Sequence, residues 1–205
     1  MCGNHDMITE NERSAFLAMD QDMLIKKFHI EHDQDYFYFK VFAKDYKLDR
    51  ENGHITSRDA FAPVPHDVKM LIYNLFSHTP DQTEAAKLSG NWSNLVQLGG
   101  MLAAGHVNKL KTPEALKPFY DKVPELKEIC KSLGGEEKKG GDVSFVIPVL
   151  DFFPIWFQYW DADDEFPANV QFLFDSNALD FYHFEILHHT AVYLKGLLET
   201  MLQQM

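Results

Sequence analysis

Hydrophobic and polar side chains alternate with a period of two in three runs of the final third of the chain. The apolar positions are Val143, Phe145, Ile147 and Val149, then Ile155, Phe157 and Tyr159, then Val170, Phe172 and Phe174. This period is typical of a β-strand with one buried face. Parallel neighbours need crossovers of about a dozen residues, and the connections here are shorter, so we expect antiparallel strands. Pro148 lacks a backbone N–H, which predicts an edge or a bulge in its strand.

Apolar positions spaced three and four residues apart predict helices in other parts of the chain. One such stripe runs from Val68 to Phe76, and a longer one covers residues 184–201. The longer stripe predicts a helix over about residues 180–202 that packs on the sheet in preference to a partner. Thr9 and Glu12 have the spacing of a capping box, which predicts a first helix over about residues 12–27.

The remaining segments carry weaker patterns. Residues 36–55 are rich in aromatic and β-branched side chains and contain Asn52-Gly53, a pair that favours hairpin turns, so we expect a meander of short strands. Trp92 lies in a loop-like segment, and Thr112-Pro113 predicts a helix start. Residues 134–141 have the composition of a polar, flexible connection.

Together these patterns predict a single α+β domain over residues 1–205, with a flexible N-terminus at residues 1–12. A mixed, mostly antiparallel sheet would combine the strands of residues 36–55 with those of residues 143–175. Helices would cover this sheet, including the long C-terminal helix.

Composition restricts the classes of partner. The chain has 205 residues and a formal net charge of −12, which repels nucleic acids and anionic membrane surfaces. No run approaches the roughly 20 apolar residues that a membrane span needs. Two cysteines, Cys2 and Cys130, cannot form a disulfide framework, so we expect a soluble protein of the reducing cytoplasm. Cys130 falls in an apolar helical stripe and is expected to be buried.

Histidines are the first candidates for metal ligands. His183, His188 and His189 lie with Glu185 on the predicted last helix. His183 and His188 would point about 140° apart, and no pair of histidines has the four-residue spacing of helical zinc motifs. We therefore expect no metal site on this helix and an exposed pair of Glu185 with His189. The cluster from His29 to His32 is expected to be a solvated helix exit.

An acidic loop and two tryptophans form the candidate ligand-binding set. Carboxylates in such density can hold a hard cation through oxygen, although the loop lacks the glycine and distal glutamate of an EF-hand. The alternative is a solvated turn between strands. Trp92 either closes a pocket or plugs the edge of the sheet. The residues of the set are Trp92, Trp160, Asp161, Asp163, Asp164 and Glu165. No catalytic nucleophile motif is present in the sequence.

Four segments resemble the domain-of-unknown-function 3786 family of anaerobic bacteria and archaea. They are residues 88–92, which are similar to its Gly-x-Trp segment, and residues 141–148, 160–167 and 173–175. Some members of that family carry a four-cysteine iron–sulfur segment of the kind seen in corrinoid proteins. Two cysteines cannot hold such a cluster, so the resemblance implies that an iron–sulfur or corrinoid protein is a separate partner. It assigns no catalytic residues and no cofactor.

Three functional hypotheses follow. The leading one is a non-catalytic accessory or binding protein in anaerobic redox or cofactor metabolism. The first alternative is a small-ligand-binding protein or enzyme with a pocket near Trp92 and the acidic loop, dependent on a divalent cation. The second alternative is a homo-oligomeric interaction module that uses the C-terminal apolar stripe.

Overall fold

A computed structural model describes residues 4–58, 62–78 and 87–205 of the chain. The helices of this part are α1 (Asn4–Leu17), α2 (Gln21–Phe28), α3 (His66–His78), α4 (Leu95–Leu110), α5 (Pro113–Leu116), α6 (Val123–Ser132) and α7 (Phe184–Gln203). The strands are β1 (Glu31–His32), β2 (Tyr36–Val41), β3 (Lys44–Asp49), β4 (Ile55–Ser57), β5 (Trp92–Asn94), β6 (Glu136–Glu137), β7 (Val143–Leu150), β8 (Phe153–Trp160) and β9 (Asn169–Asp175).

The strands form two sheets in which all neighbours are antiparallel. One sheet has the order β1-β2-β3-β4 and the other has the order β5-β9-β8-β7-β6. The α+β class with antiparallel strands is therefore confirmed, but the single combined sheet is wrong. Each set of strands completes its pairing mainly through local hairpins. A backbone hydrogen bond from the Phe42 N–H to the Val149 carbonyl, with an N–O distance of 3.2 Å, ties the two sheets together.

The core lies against the inner face of the five-stranded sheet. The alternating apolar positions of the sequence, from Val143 to Phe174, point inward and are buried. Four side chains of the α7 stripe are fully buried, namely Leu187, Ala191, Leu194 and Leu198. These four positions of the stripe therefore pack inside the fold, as expected.

The N-terminal helix differs from its prediction. The segment forms two helices because the Asp20 carboxylate accepts a hydrogen bond from the Met23 N–H and caps a new helix there. Thr9 lies inside α1, so the capping-box interpretation of Thr9 and Glu12 is wrong. α7 begins at Phe184, a few residues later than predicted, and ends at Gln203.

Turns and edges of the sheets also depart from simple patterns. Asn52-Gly53 lies in the β3–β4 connection, as expected, but the tightest hairpin is at Phe42-Ala43, where φ is 46° and 62°. The register of β7 against β8 shifts between Pro148 and Leu150, which confirms the expected bulge. The polar segment at residues 134–141 is not simply a flexible connection, because it contains β6, which pairs with β7.

Candidate functional site on the five-stranded sheet

The outer face of the five-stranded sheet gathers most of the candidate aromatic residues. Strand alternation and cross-strand pairing place one set of partly exposed or polar side chains on this face. Its members are Trp92, Ser144, Val146, Pro148, Pro154, Trp156, Gln158, Trp160, Gln171 and Leu173. We call this surface the tryptophan face, because it carries all 3 tryptophans of the chain.

Two of these tryptophans form one wall of a cleft. The rings of Trp92 and Trp156 meet edge to face, with centroids 5.5 Å apart and planes at 70°. The Trp156 indole Nε1 donates a hydrogen bond to the Ser144 hydroxyl at 3.0 Å, which fixes the ring orientation. The cleft has a volume of about 480 Å³. It is lined by Trp92, Glu136, Lys138, Lys139, Val146 and Trp156.

Trp92 is not in a loop, as its surroundings in the sequence suggested. It begins the edge strand β5 and pairs with Asp175 of β9. The buried Asp175 carboxylate accepts hydrogen bonds from the Ser89 N–H and hydroxyl and from the Gly90 N–H, at 2.9, 2.7 and 2.7 Å. Burial raises the pKa of Asp175, but these hydrogen bonds and one from the Asn177 N–H outweigh it and keep the pKa below its usual value. Asp175 thus anchors the segment that carries Trp92.

The rim of the cleft is positively charged at one side. The Lys138 ammonium pairs with Glu136 at 2.5 Å, which leaves that pair neutral. Within the described chain, Lys139 makes no ion pair or hydrogen bond. A cationic side chain without a partner therefore stands beside two aromatic rings on a molecule whose net charge is −12.

The carboxylates of the acidic loop mainly stabilise the loop itself. Asp161 accepts hydrogen bonds from the Tyr159 hydroxyl, the Ala162 N–H and the Asp121 N–H, at 2.8, 2.9 and 2.9 Å. Asp163 accepts hydrogen bonds from the backbone N–H groups of Glu165 and Phe166, which lie two and three residues later in the same turn. These two hydrogen bonds hold the pKa of Asp163 below its usual value.

Asp164 and Glu165 are exposed. Among the described residues, no three His, Cys, Asp or Glu side chains are grouped as a metal site would require. The loop has the hydrogen bonding of a solvated turn, which was the alternative interpretation of its sequence.

The structure does not bring Trp92 and the acidic loop together. Trp92 pairs with the last residue of β9, Asp175, whereas the loop precedes the first, Asn169. Six residue steps along a strand separate these ends by about 20 Å. Trp160 shares the tryptophan face but lies at the loop end, opposite Asn169. The neighbour of Trp92 is instead Trp156, which sequence reasoning did not select because its spacing matched an ordinary strand.

The histidines are arranged differently from their pattern on the last helix. His183 lies beside His78 of α3, and His189 pairs with Asp67 at 3.4 Å and not with Glu185. Sequence reasoning missed His78, because a contact between residues this distant leaves no local signal. Cys130 is fully buried, as expected, and burial raises the pKa of its thiol to about 12.

Comparisons with known proteins give one match. A family model described as Domain of unknown function (DUF3786) matches residues 20–196. No curated protein and no solved structure matches the chain. In the described part of the chain, no helix has the length and apolar character needed to cross a bilayer.

Proposed function

The chain belongs to the DUF3786 family, and from that premise we propose that it is an accessory binding protein that docks a partner protein on the tryptophan face. The observation that carries this proposal is the clustering of all 3 tryptophans on one partly exposed sheet face. Tryptophan is enriched among the residues that dominate binding energy at protein interfaces. The inner face of the same sheet already fills the core, so folding alone does not require these indoles on the other side.

The shape of the face suits a protein more than a small molecule. Four strand spacings separate β5 from β6, which is about 19 Å, and Trp156 and Trp160 are about 13 Å apart along β8. Such dimensions give a footprint of a few hundred Å² that carries aromatic, aliphatic and polar side chains, a size that is often functional on a monomer. An interface built on it would be at the small end of the range, as in transient complexes.

Charge indicates the complementary chemistry of the partner. The overall negative field of the chain disfavours acidic partners in general. Lys139 reverses this sign locally, and it borders the Trp92–Trp156 cleft. A partner that inserts one apolar side chain into the cleft and places a carboxylate near Lys139 would satisfy both features.

The class of partner is inferred from the family resemblance. We propose that it is an iron–sulfur or corrinoid protein of anaerobic redox or cofactor metabolism, because the cysteines needed for a cluster are not in this chain. In this role the chain performs no chemistry, and its contribution is recognition through the tryptophan face.

Site-specific photo-crosslinking tests the proposal. A crosslinking amino acid is placed at Val146, on the tryptophan face, and in a matched variant at Val192, an exposed position of α7. In anaerobic extracts of the native host, the Val146 probe is expected to capture one discrete partner that the Val192 probe does not. The purified partner is then titrated with wild type, Trp92→Ala and Trp156→Ala.

A tryptophan at the centre of an interface contributes about 2 kcal/mol or more, so each variant should weaken binding by roughly 30-fold. Equal affinities of wild type and the two variants would overturn the proposal. So would identical crosslinking patterns from the two probe positions.

The cleft volume favours one second candidate, a small-ligand site between Trp92 and Trp156. A volume of about 480 Å³ falls within the usual range of ligand pockets. In that case a low-molecular-weight fraction of the extract would raise the melting temperature of wild type but not of Trp156→Ala. The protein-docking proposal expects no such shift.

A further inference from the structure

Two imidazoles from opposite halves of the chain meet outside the tryptophan face. His78 ends α3, and His183 directly precedes α7. The His78 Nδ1 lies 3.1 Å from the His183 Nε2, and the ring centroids are 3.9 Å apart. His183 is exposed and His78 is partly exposed, so both rings are accessible from solvent.

The protonation pattern of His78 is fixed by its second nitrogen. Its Nε2 lies 2.8 Å from the Leu179 carbonyl oxygen. A carbonyl oxygen only accepts hydrogen bonds, so the proton of the neutral ring resides on Nε2. The His78 Nδ1 therefore accepts the hydrogen bond from the His183 Nε2–H, and an ion bound between the two rings would take the place of that proton.

The backbone holds the two rings at this spacing. The buried Asn74 side chain accepts a hydrogen bond from the His183 N–H at 3.3 Å. Asn74 is four residues before His78 and lies on the same side of α3. The end of α3 thus contacts the segment leading into α7 twice, through the bond from the His183 N–H to Asn74 and through the bond between His78 and Leu179.

We propose that His78 and His183 form a binding site for a late first-row transition-metal ion such as Zn²⁺, Ni²⁺ or Cu²⁺. Two nitrogens bound at 2.0–2.1 Å to one ion are about 2.9–3.4 Å apart for bond angles of 90–109°, and the observed distance is 3.1 Å. Both solvent-accessible rings would turn outward from their centroid separation of 3.9 Å so that their lone pairs meet at the ion. Histidines that bind metals usually donate their other N–H to a carbonyl or carboxylate, as His78 does to Leu179. Imidazole ligands without carboxylates disfavour Mg²⁺ and Ca²⁺.

Two protein ligands leave coordination positions open. Among the described residues no third His, Cys, Asp or Glu completes the group. Water or a ligand from outside the chain would fill the remaining positions, as in metal sites that accept an exogenous group.

Calorimetric titration of the full chain with Zn²⁺ tests the proposal, with Co²⁺ absorption as a second readout. Wild type is expected to bind one ion, and both His78→Ala and His183→Ala should bind at least 10-fold more weakly. His189→Ala is the matched control, since it removes an exposed histidine of α7 that pairs with Asp67. Melting curves without metal establish that each variant is folded.

Three results would overturn the proposal. They are an absence of saturable binding by wild type, full affinity in either single variant of the pair, and an equal loss in His189→Ala. Binding should also weaken as the pH falls, because protons compete for the imidazole nitrogens. Affinity that does not change on acidification would contradict ligation by histidine.

Discussion

The Asp175 carboxylate accepts a hydrogen bond from the Gly90 N–H, with an O–N distance of 2.7 Å, and so joins the end of β9 to the segment leading into Trp92. Removing this carboxylate leaves the Ser89 and Gly90 N–H groups without their acceptor. Ser89 and Gly90 are exposed, so water rehydrates the freed donors and each lost hydrogen bond, including the one from the Asn177 N–H, costs about 0.5–1.5 kcal/mol. We therefore expect Asp175→Ala to lower the free energy of unfolding by about 3 kcal/mol, as measured by urea denaturation.

The control for this variant is Asp164→Ala, at an exposed position of the acidic loop. It should change the stability by no more than about 0.5 kcal/mol. Hydrogen exchange should also accelerate at residues 88–92 in Asp175→Ala. Unchanged protection of that segment would mean that Asp175 does not anchor it.

Asp175 also predicts a pH dependence of stability. Its pKa is lower in the folded chain than in the unfolded chain, where it is about 3.9. Its stabilising contribution is therefore complete above the unfolded value and is lost as the pH falls through the folded value. Urea midpoints measured between pH 7 and pH 2 should fall less steeply in Asp175→Asn than in wild type. Parallel curves would contradict this assignment.

Asp161 is expected to be structural and not a cation ligand. Asp161→Ala removes the acceptor of the buried Tyr159 hydroxyl and of the Asp121 N–H, and should cost about 1–3 kcal/mol. Asp164→Ala in the same loop should be neutral. Melting temperatures should not change with millimolar Ca²⁺ or Mg²⁺. A specific upward shift that disappears in Asp161→Ala would restore the cation-site hypothesis.

The Cys130 thiol should be unreactive towards disulfide reagents in the native state. Its thiol is fully buried and its pKa is raised to about 12, so very little reactive thiolate is present at pH 8. In a Cys2→Ser variant, Cys130 is the only thiol left. A disulfide reagent should react with it only when urea unfolds the chain, and rapid reaction without urea would show that the core around α6 opens.

Two substitutions, one from glycine to alanine and one from alanine to glycine, should each increase the free energy of unfolding. Gly196 lies within α7, and a Cβ there would meet no atom within 4 Å, so Gly196→Ala should add about 0.5–1 kcal/mol of helix propensity. Ala43 has φ of 62° in the β2–β3 hairpin, a conformation that costs a non-glycine residue about 1 kcal/mol or more. Ala43→Gly should therefore also stabilise, by up to a similar amount. Thermal melts of both variants and of the double variant test this, since distant sites should be additive.

Sequence periodicity predicted the elements whose burial follows a simple repeat. The strands from Val143 to Phe174 and the stripe of α7 were found because each buries one face. The division into two sheets was not predictable, since an α+β pattern does not specify which strands pair. The break at Asp20 was missed because a capping aspartate looks like any surface residue until the helix direction changes.

Only part of the candidate site could be predicted from the sequence. Trp92 and Trp160 were selected by residue type, and both lie on the tryptophan face. Their partners depend on strand order, since β9 lies between β5 and β8 and brings Trp92 to Trp156. His78 and His183 lie at two helix ends that are 105 positions apart in the sequence. Local periodicity predicts single elements and not contacts between elements so far apart.

Because every indole of the chain belongs to one sheet surface, the unmodified protein contains a built-in optical reporter of that surface. When tryptophan is excited selectively, its emission reports the solvent exposure of this surface and of no other part of the protein. The aromatic residues of the core are phenylalanine and tyrosine instead. Docking of a partner should shift this emission to shorter wavelength. Ion binding at His78 and His183 should leave its wavelength unchanged, so the two proposed activities can be followed separately in one sample without a label.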